Sequence, residues 1–327
     1  MRKYLSSSLV RRLRAVARAF TANSKVTIGL VIVLFFVAVA LLGPLFIHID
    51  PNAPSNDLLA PPSPAHPLGT TYIGQDVLAQ VVYGAQISLI VGFGAGIVTT
   101  IISVFVGLVS GYFGGVIDEI FSLLSNVFLV LPTLPLAIVL AAFLPRSGVL
   151  SIGFVLVVTG WSWGARVLRV QTLSMSNRDF VEASRASGEG WFRIVFFDIF
   201  PNESAIVAAQ LLGTIIYAIL AESALEFLGL GDISNVSWGT MFYWAANNDA
   251  LLQGAWWWIV PPGLCIAVLG AGLAFVNFGM DEIADPRLRA EPKIRVSRVK
   301  SSKPGPSEEA SSDAMSEVVI PIAPEKA

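Results

Sequence analysis

The sequence predicts an all-α, polytopic membrane protein with six transmembrane helices. Three observations predict it. Of 327 residues, 54% are hydrophobic and only 13% charged, against about 25% charged in soluble domains. A soluble surface of this size would need far more charge to cover it. The apolar residues fall in runs of about 20, the length that crosses a hydrocarbon core of about 30 Å at about 1.5 Å per residue. The basic residues sort by segment, as a membrane orientation requires.

The elements follow in order. Residues 1–25 are basic (Arg2, Lys3, Arg11, Arg12, Arg14, Arg18, Lys25) and contain no acid. The first span covers 26–47. Its apolar core is too long for a cleaved signal peptide, so it is read as a retained helix. Residues 48–86 form a polar, Pro-rich extracytoplasmic segment without Lys or Arg. The membrane core runs over 87–280. Its second span covers about 87–109 and ends at a turn, Gly111-Tyr112-Phe113-Gly114-Gly115. The third covers about 116–143, with Pro132 and Pro135 expected to kink it. The fourth covers about 150–168, the fifth 205–228 and the sixth 256–278. Residues 169–202 make a long inner loop and 229–255 an outer one. The tail, 281–327, is dominated after 291 by Ser, Pro, Glu and Lys, a composition that cannot bury a core and reads as disordered.

An even number of spans puts both termini on one side. Every Lys and Arg except Arg146 falls in the N-terminus, the inner loop (Arg166, Arg169, Arg178, Arg185, Arg193) or the tail. The positive-inside rule then places both termini in the cytoplasm. One span more or fewer would destroy this sorting.

The inner loop carries the most information. Residues 179–187 suit a short helix, with Ser176 or Asn177 as N-cap and Gly188 as the left-handed residue that ends it. Its small residues, Ala183, Ser184, Ala186 and Ser187, leave a slim helix that a neighbour can approach. The strongly apolar stretch to Asn202 should lie along the membrane surface and lead into the fifth span, with Pro201 in that helix's first turn. Two helices in one connector point to a docking element for a cytoplasmic partner.

Other candidates are fewer. Glu222 and Glu226 lie four apart, on one face of the fifth span. Glu222 either faces a wet pathway or a partner helix, or is hydrated near the headgroups; Glu226, nearer the end, is read as hydrated at headgroup level. Trp238, Trp244, Trp256, Trp257 and Trp258 read as an interfacial aromatic belt. Cys265 stands alone and His48 and His66 read as solvated loop residues, so no metal site is expected.

The inner loop resembles the EAA loop of permease subunits of ATP-binding-cassette importers. Glu182-Ala183, Gly188 six residues after the Glu, and Pro201 carry the likeness, with Ser184 where the family usually has Ala. The resemblance extends over residues 25–289 and points to the dipeptide, oligopeptide and nickel branch. It includes His66-Pro67-Leu68-Gly69-Thr70, Gly74-Gln75-Asp76, Gly111 to Gly115 with Asp118, Glu222 with Phe227-Leu228-Gly229, Ser237-Trp238-Gly239 and Asp285-Pro286. Gln75, Gln80 and Gln86 stand where that family often has arginine.

The resemblance implies a type I (MetI-like) importer permease fold in a prokaryotic inner or plasma membrane. It implies as partners a second permease, two cytoplasmic ATPases gripping the loop through Glu182, Ala183, Ser184, Gly188 and Pro201, and an extracytoplasmic solute-binding protein that delivers peptides. Beyond the lipid bilayer and these chains, no nucleic acid is implied. The chain has no Gly-x-x-x-x-Gly-Lys-Ser/Thr phosphate loop. No cofactor is therefore expected on it, ATP and Mg being bound by the ATPases. A self-contained secondary carrier or channel would need ionisable residues across the midplane or broken internal repeats. An intramembrane enzyme would need paired catalytic groups there, and no Lys, Arg or His lies mid-span.

Overall fold

The computed structural model describes residues 24–144 and 148–284, the last five by their backbone alone. Residues 1–23, Arg146 and the tail from 285, with the expectations placed on them, lie outside the described residues. Among the described residues the structure is helical, with no strand. Five helical stretches are long and apolar enough to cross a membrane: α1 (Ser24–Phe46), α2 (Val77–Phe113), α5 (Val149–Ser176), Trp191–Phe227 and Trp256–Gly279. A sixth crossing is made if α3 (Gly115–Val130) and α4 (Thr133–Phe143) count as one span.

These two are bent by 93° at their junction, so the third span is broken rather than merely kinked. Leu131, which precedes Pro132, is extended at φ −71, ψ 129, because the proline ring disfavours helical geometry in the residue before it.

Two helices are longer than their apolar runs suggest. α2 begins ten residues before the expected start, where Asp76 accepts a 2.8 Å hydrogen bond from the Ala79 amide and caps it. At 37 residues it is about 55 Å long, nearly twice the hydrocarbon core. α5 continues to Ser176, and this corrects the expected N-cap of the loop helix. Ser176 and Asn177 belong to the end of α5, and α6 (Asp179–Ala186) starts after Arg178, which offers no side-chain cap. A helical turn, Trp191–Arg193, passes through a π-helical stretch, Ile194–Ile199, into α7 (Phe200–Phe227) without a break. The outer loop holds a further helix, α8 (Trp238–Asn247), before a 3-10 turn, Trp256–Trp258, and α9 (Val260–Ala284).

α2 is the spine of the bundle, packed along both α5 and α7, while α1 packs on α9. Small residues permit this. Gly107 and Gly111 lie against the α5 backbone, where a methyl on Gly111 would stand 2.6 Å from Thr172 Cβ. Gly92 and Gly96 receive Ile219 and Ile215 of α7 in the same way. Lipid tails are as apolar as leucine, so burial alone does not drive helices together in a bilayer; close packing and hydrogen bonds do.

The tryptophans are not a headgroup belt. Trp238 and Trp258 are fully buried, and of the five only Trp256 is largely exposed. Trp238 donates from its indole to Val81 O at 3.0 Å, and Trp257 to Thr70 O at 3.2 Å. Tyr72 stacks on both Trp244 and Trp258. They fasten the outer segment to α8 and the start of α9.

Candidate coupling loop and solute pathway

α6 is held by one face. Val181 is fully buried, in a cluster with Leu108, Ile194, Val195 and Ile199. The Arg185 guanidinium lies 4.9 Å over the Tyr112 ring, a cation–π contact. The opposite face presents Glu182, Ala183 and Ala186 to solvent, with Ser184 half-buried. Ser184 donates to Phe180 O at 3.1 Å and Ser187 to Ala183 O at 2.9 Å. Gly188 takes φ +78, and the next amide, of Glu189, reaches back to Ser184 O at 3.2 Å. This left-handed stop needs a residue without Cβ. Pro201 sits in the first turn of α7, as expected, although the helix already runs through it from Trp191. Phe180, Trp191 and Phe192 are exposed beside α6.

α7 carries three buried carboxyl groups. Near its N-terminal end Glu203 is enclosed and accepts from Thr172 of α5 at 3.0 Å. Near its C-terminal end Glu222, with no exposed surface, accepts from Ser88 of α2 at 3.2 Å and from Ser223 at 3.1 Å. Glu226 is also buried, not hydrated at headgroup level. It accepts from Ser237 Oγ, whose hydroxyl also caps α8 in a reciprocal box with Thr240. The Trp238 amide closes the circuit on Ser88 Oγ at 3.3 Å. Gly239 and Gly231 leave the room that Glu226 fills. Carboxyls at this depth need such donors, since lipid supplies none.

Glu203 and Thr172 were missed in the sequence, as was the pair between α3 and α5, in which Arg169 holds Asp118 through both carboxylate oxygens. Counting Arg169 only as an inner-loop charge hid its partner.

A hollow of about 620 Å³ opens in the flank of the bundle. α3, α4, α5, α7 and α9 line it, with Phe128, Thr159, Trp163, Gln210, Gly213 and Asn277 among the lining residues. Glu222 is not one of them; it is enclosed between α2, α7 and α8.

Outside the spans, His66 is not a solvated loop residue. Its Nδ1 is 2.8 Å from Asp76 and its Nε2 3.4 Å from Asp57. The Asp76 hydrogen bond raises its pKa above the ordinary histidine value; burial opposes this in part and Asp57 adds to it. Three glutamines fasten residues 40–52 to the start of α2 and the turn before it. Gln80 donates to Pro51 O and Gln75 Oε1, Gln75 to Asn52 O, and Gln86 to Ala40 O at 2.7 Å.

Spans tied together by internal hydrogen bonds, a neutral hollow and a partly exposed helix between two crossings fit the class that the relatives show, a multi-pass transport permease. Residues 103–290 match the family described as binding-protein-dependent transport system inner membrane component. Residues 12–62 match the N-terminal TM domain of oligopeptide transport permease C. The chain is similar to the dipeptide transport system permease protein DppC of Bacillus subtilis, with 36% identity over 280 residues, covering 83% of this chain and 85% of that one. It is similar to the oligopeptide transport system permease protein OppC of the same organism, with 33% identity over 274 residues, 83% of this chain and 88% of the other. The dipeptide transport system permease protein DppC of Haemophilus influenzae is 33% identical over 278 residues, covering 83% and 93%. The chain belongs to the family of binding-protein-dependent transport system inner membrane components.

Proposed function

We propose that this chain is one of two permease subunits of an ATP-driven peptide importer, and that α6 is the handle through which cytoplasmic ATPases move it. The observation that carries the coupling role is the mounting of α6. Its Val181 face is seated in the ends of the spans, its Glu182–Ala183 face is open, and after the short turn at 187–190 the chain is continuous helix from Trp191 into α7. A force applied to the open face is passed to a rod, not lost in a slack loop. The peptide substrate rests on the relatives, which are named as dipeptide and oligopeptide permeases. An external binding protein delivers the peptide, a second permease completes the pathway, and both termini lie in the cytoplasm of a prokaryotic cell.

α7 links the two faces. Thr172–Glu203 ties its inner end to α5, and Glu222 and Glu226 tie its outer end to α2 and α8. Motion of α6 would therefore reach α8 at the outer mouth through one helix, the kind of discrete rearrangement that alternating access requires.

The test is uptake of a labelled peptide by vesicles holding the whole importer, with ATP hydrolysis measured in parallel. Glu182→Lys reverses the charge on the open face, and Gly188→Pro removes the turn that ends α6. Both variants should reach the membrane, and uptake per ATP hydrolysed should fall at least about tenfold, as expected for loss of roughly 1.4 kcal/mol of coupling. Unaltered ATP-driven uptake in both would remove α6 from the coupling route.

A further inference from the structure

The flank hollow has a chemistry that the coupling role does not use. Gln210 is more than nine-tenths buried, and its side-chain oxygen has no hydrogen-bond partner in the chain. Asn277 Oδ1, on α9, is likewise enclosed and unpartnered. Both residues line the hollow. Gly164 makes the room in which the Gln210 amide lies, since a Cβ there would collide with it. An unpaired buried acceptor costs about 1–3 kcal/mol even in a soluble protein, and lipid offers it no donor. The Tyr217 hydroxyl, a third buried polar atom without a partner, lines the same hollow, and such groups call for partners from outside the chain. None of the described residues lining the hollow bears a formal charge.

We propose that this hollow is a wetted substrate-contact site, in which the Gln210 and Asn277 carboxamides bind the peptide backbone without reading the charge of its side chains. The proposal rests on the peptide-importer reading and adds to it where the peptide is touched and by which of its groups. A carboxamide offers an acceptor and a donor, as a peptide unit does, so the match holds whichever way the amide is turned. The volume of about 620 Å³ admits a few residues of peptide or the water that replaces them. Thr133, Thr159, Ser162, Thr214 and Tyr217 add hydroxyls to a wall that includes Phe128 and Trp163. Such a wall carries no charge with which to select among charged side chains.

Gly213 provides the test. It lines the hollow, and a Cβ built on it meets nothing within 4 Å, so side chains can be added there without displacing the bundle. The whole importer is placed in vesicles and supplied with labelled alanine tripeptides whose middle residue is neutral, acidic or basic. Uptake is normalised to each peptide's affinity for the binding protein. The unaltered importer is expected to carry all three at similar normalised rates. Gly213→Asp should raise the ratio of basic to acidic uptake about thirtyfold, and Gly213→Lys should lower it by a similar factor, because a unit charge about 4 Å away in water is worth about 1 kcal/mol, favouring one peptide and opposing the other. Gln210→Leu should slow all three peptides by a common factor of about five, the worth of one hydrogen bond. In a Cys265→Ala background, Gly213→Cys should react with a charged, water-borne thiol reagent.

Charge ratios unmoved by both Gly213 variants, or a thiol that stays unlabelled, would overturn the site while leaving peptide import standing. A Gln210→Leu effect that varies with the middle residue would overturn the backbone contact. If the unaltered importer carries no peptide at all, the substrate reading fails and the site falls with it.

Discussion

Glu222 has no exposed surface, yet two hydroxyls point at it, from Ser88 and Ser223. A carboxyl deep in a membrane protein survives only with such company. Removing it leaves both hydroxyls without their acceptor and opens a void. Glu222→Ala should therefore destabilise the chain by about 2–4 kcal/mol, read as a lower thermal midpoint in detergent and a lower membrane yield. Glu222→Gln keeps an acceptor for one hydroxyl and should lose less than half as much. If both variants melt normally and only uptake changes, Glu222 serves the pathway and not the packing.

His66 makes a prediction of a different kind, because it lies outside the spans. Asp76 and Asp57 face its ring and raise its pKa in the folded state. Their stabilisation of the outer segment is full below the unfolded histidine pKa of about 6.5 and is lost as pH rises through the raised folded value. Proteolysis between residues 47 and 76 should speed up across that interval, and His66→Ala should abolish the pH dependence.

Among the elements, α2 matters most to assembly. Its Gly92/Gly96 and Gly107/Gly111 pairs let α7 and α5 approach to backbone contact. Gly107→Leu places a branched side chain where Leu168 and the Ala165 carbonyl already lie. It should cost at least about 1–3 kcal/mol by overpacking, seen as loss of the monodisperse peak in size-exclusion chromatography. α3 depends instead on charge. Asp118 is the partner of Arg169, and Asp118→Ala leaves a partly buried guanidinium unpaired. The expected loss is about 1–3 kcal/mol, between the values for surface and fully buried pairs. Arg169→Met combined with Asp118→Leu should recover much of it; a double variant as weak as the single one would show that the pair is not the tie between α3 and α5.

For the molecule as a whole, orientation is the property on which the importer reading depends. Asn52 and Ser187 are both exposed, at opposite ends of the bundle if the chain crosses the membrane as its charges direct. In a Cys265→Ala background, Asn52→Cys should be labelled by an impermeant thiol reagent added to intact cells. Ser187→Cys should be labelled only after the cells are opened. The reverse pattern would leave α6 on the wrong side for any cytoplasmic motor. With the expected pattern, the bundle has a mechanical order from inside to outside: α6 on the cytosolic surface, α7 through the membrane, α8 beneath the outer segment.

The sequence by itself determined the class of fold, the approximate spans, the left-handed stop at Gly188 and the partly exposed helix before it. Each of these follows from local chemistry: apolar runs of membrane length, a residue without Cβ, small side chains in helical spacing. Only the tertiary structure decided the partners. That Glu222 and Glu226 are enclosed, that Arg169 belongs to Asp118, that His66 is held by two aspartates and that the tryptophans are fastenings rather than a belt all depend on residues far apart in the chain. Glycines at four-residue spacing in α2 carried a signal of close packing, but not which helix would fill each notch. A hydrogen bond needs its two groups within about 3 Å, and no periodicity in a single chain says which distant segment supplies the second group.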